Sequence, residues 1–294
     1  MPITQILRRV YSDLIKGRTR VAVHSSVEPE LAEDPIFIIG LFRSGTTLLR
    51  YLVDSHSRIA CPPETRFMQH LAEIVNSERT LGGLQAMGFD REHTCQQLRR
   101  TISYFMENYA ASKGKPRWAD KTPEYVSSLA FLQEIYPTAK FVMLYRSPLD
   151  QIRSNIKSGL GLADRIGDFE EDNEYQAAAN YWSRQSQVMI DFENKYPEQT
   201  HRVRYEDLCE DPEAVLTSML GFLGESWEPG MLEYYKFDHD YGAEDGKVGS
   251  SRKIARSTHD YSAWKQEDFR LSVDKTSAVA SVLGYQLESF VSER

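Results

Sequence analysis

Long apolar runs are missing from this sequence. No stretch approaches the ~20 apolar residues that a membrane-spanning helix needs, and the N-terminus has no apolar core of the kind a secretory leader carries. Cysteine is scarce as well. The three present, Cys61, Cys95 and Cys209, are odd in number, scattered and without metal-ligand spacing. Neither a disulfide framework nor a structural metal is therefore expected, and the three read as reduced thiols of a cytoplasmic protein. Positive charge is in deficit: 35 Lys and Arg against 43 Asp and Glu leave a net charge of −8. That balance argues against nucleic acid as a partner, which would need a basic face. It leaves room for an anionic small molecule, because a few local cations and backbone amides suffice to hold one. No internal repeat occurs.

What is present suits a globular protein. With 294 residues, 41% hydrophobic and 27% charged, the chain can bury a full core in a single α/β domain carrying a lid or inserted helices. In residues 1–20, Ile3, Ile6, Leu7, Val10, Leu14 and Ile15 share one helical face, with Arg8, Arg9, Lys16, Arg18 and Arg20 around it. The pattern predicts a basic amphipathic helix, packed on the domain, making peripheral contact with a membrane surface, or docking on a partner. Residues 18–34 are polar and acidic and read as a linker. The division is thus an N-terminal segment, 1–34, and one domain, 35–294.

Within that domain, Pro35-Ile36-Phe37-Ile38-Ile39 is a continuous apolar run ending at Gly40, which suits a strand buried on both faces. Leu48, Leu49, Leu52 and Val53 then follow helical spacing. Lys140-Phe141-Val142-Met143-Leu144-Tyr145 predicts a second buried strand, leading through Arg146 to Ser147 as N-cap and Pro148 at the first helical position. Arg202-Val203-Arg204 predicts a third, before Tyr205-Glu206-Asp207-Leu208 and a helix from Pro212 to Leu223. Residues 90–112, 124–136 and 172–195 also have helical spacing. Strands alternating with helices predict a P-loop-type three-layer α/β fold, a central parallel sheet flanked by helices. Residues 238–262, rich in Gly, Asp, Ser and charge, are expected to form a loop over the active site.

The chemistry starts at Gly40-Leu41-Phe42-Arg43-Ser44-Gly45-Thr46-Thr47. The Gly-x4-Gly spacing lies between a buried strand and a helix, where a P-loop belongs. Its glycines allow successive backbone N–H groups to converge on an anion at the helix N-terminus, and Thr46 and Thr47 add hydroxyl donors. A nucleoside-triphosphate enzyme places Lys after the second Gly; here Thr46 stands there, and the loop carries Arg43 instead. The second strand ends in Arg146, where a magnesium-binding enzyme often offers Asp. Such a loop suits one phosphate bearing something less charged than a triphosphate tail, and no metal is expected. Arg146 and Ser154, eight residues apart, supply a guanidinium fork and a hydroxyl for a second, separate phosphate. Two anion sites at neighbouring strand ends suggest a nucleotide bisphosphate.

These residues carry a resemblance. The chain resembles the 3′-phosphoadenosine-5′-phosphosulfate (PAPS)-dependent sulfotransferases, and its opening is most similar to the tyrosylprotein sulfotransferase branch. The carrying stretch runs from Pro35 to Met68. Asp120-Lys121-Thr122-Pro123, Phe141 to Ser154, Tyr205-Glu206-Asp207-Leu208 and Leu283-Gly284-Tyr285 support it. The resemblance implies PAPS as co-substrate and 3′-phosphoadenosine-5′-phosphate (PAP) as product. Arg43, Ser44, Gly45, Thr46 and Thr47 would hold the 5′-phosphosulfate, Arg146 and Ser154 the 3′-phosphate, and Tyr205 would line the nucleotide site. Glu64 falls where that branch has its catalytic base, Arg66 where it has a supporting cation, and Lys121 matches the lysine near the bridging oxygen. Ser250 or Ser251 matches a serine that touches the sulfuryl group. Trp264-Lys265 partly matches a family pattern in which, in the tyrosylprotein branch, the lysine precedes the Trp; Ala263 stands there in this chain.

Sulfuryl transfer needs cations and N–H donors aimed at the equatorial and leaving oxygens, and a base for the acceptor proton. Arg43, Lys121 and the loop amides would provide the first, Glu64 the second; His56 and His70 are alternative bases. The expected activity is transfer of a sulfuryl group from PAPS to a hydroxyl acceptor by in-line displacement. A P-loop small-molecule kinase and a non-catalytic nucleotide-binding protein are the alternatives. The tyrosylprotein branch normally carries a membrane anchor, and none is evident in the sequence. A small-molecule, glycolipid or natural-product acceptor is therefore expected ahead of a peptide tyrosine.

Overall fold

The computed structural model of the chain describes residues 34–158, 173–240, 242, 248, 251–256 and 261–287. The basic helix expected over residues 1–20, and its linker up to residue 33, lie outside the described residues. Among the described residues, five strands form one parallel sheet: β1 (Ile36–Gly40), β2 (Ile59–Ala60), β3 (Arg117–Lys121), β4 (Lys140–Tyr145) and β5 (Thr200–Arg204). Their order is β2-β3-β1-β4-β5, with β1 central. The helices are α1 (Thr46–Asp54), α2 (Phe67–Asn76), α3 (Glu78–Ala86), α4 (Arg91–Ser112), α5 (Leu129–Ile135), α6 (Pro148–Lys157), α7 (Glu174–Lys195), α8 (Tyr205–Glu210), α9 (Pro212–Leu223) and α10 (Gln266–Val282).

Side chains alternate across a strand, so the continuous apolar runs of β1 and β4 feed two cores at once. Phe37, Ile39, Phe141, Met143 and Tyr145 face one side, packed with residues of α4, α5, α6, α7 and α10. Ile36, Ile38, Val142 and Leu144 face the other, packed with Leu48, Leu49 and Leu52 of α1 and Leu216, Met219 and Leu220 of α9. This is the three-layer arrangement expected. Each such Ile or Phe, fully buried, stabilises the fold by roughly 1.5–3 kcal/mol. Phe37 and Phe141 are register partners with ring centroids 5.4 Å apart, so Phe37→Ala should cost about 3–5 kcal/mol through lost transfer energy and cavity.

Two local expectations are modified. The segment read as one helix over 124–136 begins as a 3₁₀ turn, Pro123–Ser128, before α5 takes over. Ser147 does occupy the N-cap of α6, but its side chain makes no capping bond; its N–H donates to Glu206 instead.

The chain passes from β1 through β2 and β3 on one side of the sheet, then to β4 and β5 on the other. The strand order thus reverses at β1, and in open α/β sheets ligands bind in the crevice outside the carboxyl ends of the strands at such a reversal. The loop after β1, Lys121 at the end of β3, Arg146 after β4 and Tyr205 after β5 all stand on that edge.

Candidate active site

The loop after β1 is shaped by contacts that exclude side chains. A Cβ on Gly40 would lie 2.8 Å from Thr46 Cγ2 and 2.9 Å from Ser44 Oγ. Gly45, at φ 100°, caps α1, and a Cβ there would lie 2.3 Å from a ring carbon of Tyr205. Arg43 is left-handed at φ 68° although it is not a glycine, which costs roughly 1–3 kcal/mol and persists only where the surroundings hold it. They do so here: the Arg43 carbonyl accepts Arg146 Nη1 at 2.9 Å, and Arg43 Nε donates to Ser154 Oγ at 3.0 Å. Ser44 is fully buried, and its hydroxyl has no hydrogen-bond partner among the described residues. The first turn of α1 carries no acid, so its positive dipole end and free amides face the loop uncompensated.

On the β4 and β5 side, Arg43, Gly45, Thr46, Thr47, Arg146, Ser154 and Tyr205 line one cavity of about 590 Å³. The Arg146 guanidinium stacks on the Tyr205 ring at 4.5 Å. Ser154, paired in sequence with Arg146, is bonded to Arg43, so one loop residue ties the two expected anion sites together. Arg153, Lys157 and Lys253 line the same cavity and were missed by the sequence reading. Arg153 and Lys157 flank Ser154 on α6 at a spacing that could have revealed them. Ser251 lines the cavity and donates its hydroxyl to the Lys253 carbonyl at 2.9 Å. Ser250 lies outside the described residues. Of the expected active-site loop over 238–262, residues 238–240, 242, 248, 251–256, 261 and 262 are described, and Val248, Ser251, Lys253 and Ala255 line the cavity.

Glu64, Arg66 and Lys121 are not in that lining; they meet one another at the end of β3. Lys121 is fully buried and its Nζ donates to Glu64 Oε1 at 2.7 Å. Arg66 Nη2 donates to Glu64 Oε2 at 2.7 Å, and Arg66 Nε stands 3.3 Å from Glu124 Oε1. The bond to Glu64 raises the Arg66 pKa above its ordinary value. Lys121 pairs in register with Ile38, two residues before Gly40, so this cluster stands beside the loop. Behind it, burial pushes the Asp120 carboxyl up to about 6, against the pull of hydrogen bonds from Thr65 and Thr122. Those hydroxyls donate to Asp120 Oδ2 at 2.6 Å and Oδ1 at 2.8 Å.

The alternative bases are elsewhere. His56 Nδ1 accepts the Arg58 N–H at 3.1 Å, which leaves Nε2 to donate to the Ser226 carbonyl at 3.0 Å, so the ring is a packing element past the end of α1. His70 is two-thirds exposed beside Glu73. Trp264 is buried with Tyr261 and Phe269, and Lys265 heads α10 on a separate surface groove. Among the described residues no cluster of three His, Cys, Asp or Glu side chains could hold a metal, and no helix is long and apolar enough to cross a membrane.

The Caenorhabditis elegans protein-tyrosine sulfotransferase A is 29% identical over 206 residues, covering 68% of this chain and 52% of that protein; the chain thus spans about half the length of that relative. Among solved structures, the sulfotransferase domain from the curacin biosynthetic pathway superposes with a TM-score of 0.60 at 22% identity, over 87% of this chain and 99% of that one. A mouse sulfotransferase complexed with PAP gives 0.50 at 12% identity, over 93% and 96%. At these identities the two structures bear on the fold alone. The model of the sulfotransferase family matches residues 35–229, from the start of β1 to beyond α9, and on that match this chain belongs to the sulfotransferase family.

Proposed function

We propose that this chain moves the sulfuryl group of PAPS to a hydroxyl acceptor. The observation that carries the reading is one cavity shared by a lysine-free P-loop and the Arg146–Ser154 pair. A single phosphate fits the loop at Gly45, Thr46 and Thr47, where the missing side chain of Gly45 lets the Tyr205 ring pack close against the loop backbone. A second phosphate fits Arg146 and Ser154, with Arg153, Lys157 and Lys253 adding positive charge. Of the alternatives, the kinase wants a lysine where Thr46 stands.

The donor supplies an activated sulfuryl group on a phosphate leaving group. Arg43, Ser44, Gly45, Thr46 and Thr47 hold its 5′ end, Tyr205 lines the nucleotide site, and Ser251 or Ser250 reaches the sulfuryl oxygens. Lys121, buried and cationic, offsets charge on the leaving oxygen. Glu64 takes the proton of the acceptor hydroxyl as its oxygen bonds to sulfur and the sulfur–phosphate oxygen bond breaks. Lys121 and Arg66, which now hold both Glu64 oxygens, orient that carboxylate until the acceptor arrives.

The acceptor class we favour is a small molecule, glycolipid or natural product. The naming of the worm relative for protein tyrosine makes an acidic tyrosine peptide the second class to test. Three scattered cysteines, none in a disulfide among the described residues, support a cytoplasmic setting. Residues 35–294 act as one domain in this reading, with part of 238–262 closing the cavity. The test is thermal unfolding with PAP and, separately, with ATP and Mg²⁺. Ligand at a hundred times its Kd adds about 2.7 kcal/mol; stabilisation by PAP alone is expected, and by ATP alone would hand the site to the kinase reading. Turnover of labelled PAPS across the acceptor classes then separates an enzyme from a nucleotide-binding protein.

A further inference from the structure

The peptide group joining Arg146 to Ser147 is held at both of its polar ends. Its carbonyl, on Arg146, accepts the indole N–H of Trp182 in α7 at 3.1 Å. Its N–H, on Ser147, donates to Glu206 Oε1 in α8 at 2.9 Å. Glu206 Oε2 in turn accepts the hydroxyl of Tyr285 at 3.0 Å. All of these residues are buried, so each bond is shielded from competing water, and losing a partner leaves a buried polar group unmatched.

Tyr285 reaches Glu206 because α10 ends on a left-handed glycine. Gly284 has φ 77°, and the N–H groups of Gly284 and Tyr285 return to the carbonyls of Ser281 and Ala280 at 3.0 and 2.9 Å. This doubly bonded stop turns the chain sharply out of the helix. The Arg204 guanidinium, at the end of β5, then stacks on the Tyr285 ring at 4.4 Å. The Tyr-Glu-Asp-Leu and Leu-Gly-Tyr stretches, far apart in sequence, thus meet behind Arg146.

What this clamp holds is the direction of Arg146 and the start of α6. Arg146 faces the cavity with its Nη1 on the Arg43 carbonyl, and a guanidinium fork reads an anion by direction. Ser154 rides two turns along α6, whose entry is fixed by Glu206 rather than by a Ser147 cap. We propose that Glu206, Trp182 and Tyr285 are positioning residues for the second anion site: they fix the Arg146–Ser147 peptide so that Arg146 and Ser154 distinguish a nucleotide carrying a 3′-phosphate from one without it. The inference rests on the donor assignment above and deepens it.

Calorimetric titration of the full chain with PAP and with adenosine 5′-monophosphate tests it without any acceptor. Tyr285→Phe keeps the ring and deletes the donor to Glu206; Trp182→Phe releases the other end of the peptide. Tyr136→Phe is the control, deleting a buried hydroxyl bonded to Ser103 at 3.0 Å that does not line the cavity. Tyr285→Phe should weaken PAP by about fivefold, the worth of one hydrogen bond, and the monophosphate by less than about twofold. Trp182→Phe should act likewise, and Tyr136→Phe should leave the ratio of the two affinities unchanged. Both nucleotides weakening in step, or the control showing the same fall in ratio, would make the clamp ordinary core packing. A wild-type chain that binds PAP no more tightly than the monophosphate takes down the donor assignment and the clamp together. A wild-type ratio of PAP to monophosphate affinity that is unchanged in Tyr285→Phe takes down the clamp alone.

Discussion

On the β1, β4 and β5 side of the sheet edge, the arginines are tied to the loop and to α6, while the loop itself offers backbone and hydroxyl groups. The Ser44 hydroxyl is buried without a partner among the described residues, Gly45 contributes only backbone, and the first turn of α1 has no acid to neutralise its amides. At the end of β3 the opposite holds. Glu64 is bonded to Lys121 and Arg66, Arg66 also to Glu124, and Asp120 to two threonine hydroxyls. One half offers the backbone amides of a helix start and a cavity lined by cations; in the other, both Glu64 oxygens are already held and would have to be released. The difference implies that the donor enters a cavity already lined by cations, whereas the larger reorganisation accompanies the acceptor. Buried ion pairs also resist removal of one member more than hydrogen-bonded neutral groups do.

The largest effect expected on the closed half is on turnover. Glu64→Ala should lower the rate with PAPS and whichever hydroxyl acceptor the screen returns by about 10²–10⁴-fold. It should leave PAP affinity unchanged, since Glu64 does not line the nucleotide cavity. A loss below tenfold would remove Glu64 as the base. On the open half the ranking reverses: Arg146→Met should weaken PAP by about a hundredfold, the worth of charge-assisted hydrogen bonds, as calorimetry would read. Equal losses of PAP affinity in the two variants would erase the distinction between the halves.

Asp120 sharpens the comparison through pH. Burial raises its carboxyl from 3.8 to about 6, so between those values the folded chain holds a proton that the unfolded chain has released. Its contribution is therefore neutral below the unfolded value, falls as pH rises through the window, and is a full penalty above about 6. Roughly two pH units correspond to about 3 kcal/mol. Denaturant unfolding at pH 4 and pH 7 should show Asp120→Asn gaining about that much on the wild type between the two. A constant difference would mean that the carboxyl is not perturbed by burial.

How far the sequence revealed each half follows from burial. The strands β1 and β4 are apolar on both faces, so the sheet centre, its loop and the Arg146 turn could be read directly. The strand β3 could not: Arg117-Trp118-Ala119-Asp120-Lys121 has two charged residues at its end, and only the fold makes both fully buried. Lys121 read without the family resemblance is a surface lysine. What identifies it is the carboxylate that Glu64 brings from 57 residues away, a pairing no local pattern contains. Likewise the bond between Arg43 and Ser154 spans two motifs that were each legible, while the bond itself was not.

The smallest expected effect isolates the open half at one atom. A buried hydroxyl without a partner lowers stability, so replacing Ser44 with Ala should raise it, by about 1 kcal/mol, the lower end of the cost of an unsatisfied buried polar group. The methyl that remains fits, because Ala removes only the oxygen from a loop position already occupied by a Cβ. Ser44 does not line the cavity as it stands, so a phosphate oxygen meets its hydroxyl only when the loop shifts on binding. With PAP bound the sign should then invert, since losing the hydroxyl costs about one hydrogen bond. Thermal unfolding of Ser44→Ala with and without PAP should therefore show a higher midpoint than wild type in the free protein and a smaller shift on adding ligand. A variant less stable than wild type in both conditions would mean that Ser44 Oγ supports the loop itself, and that the loop is satisfied before any anion arrives.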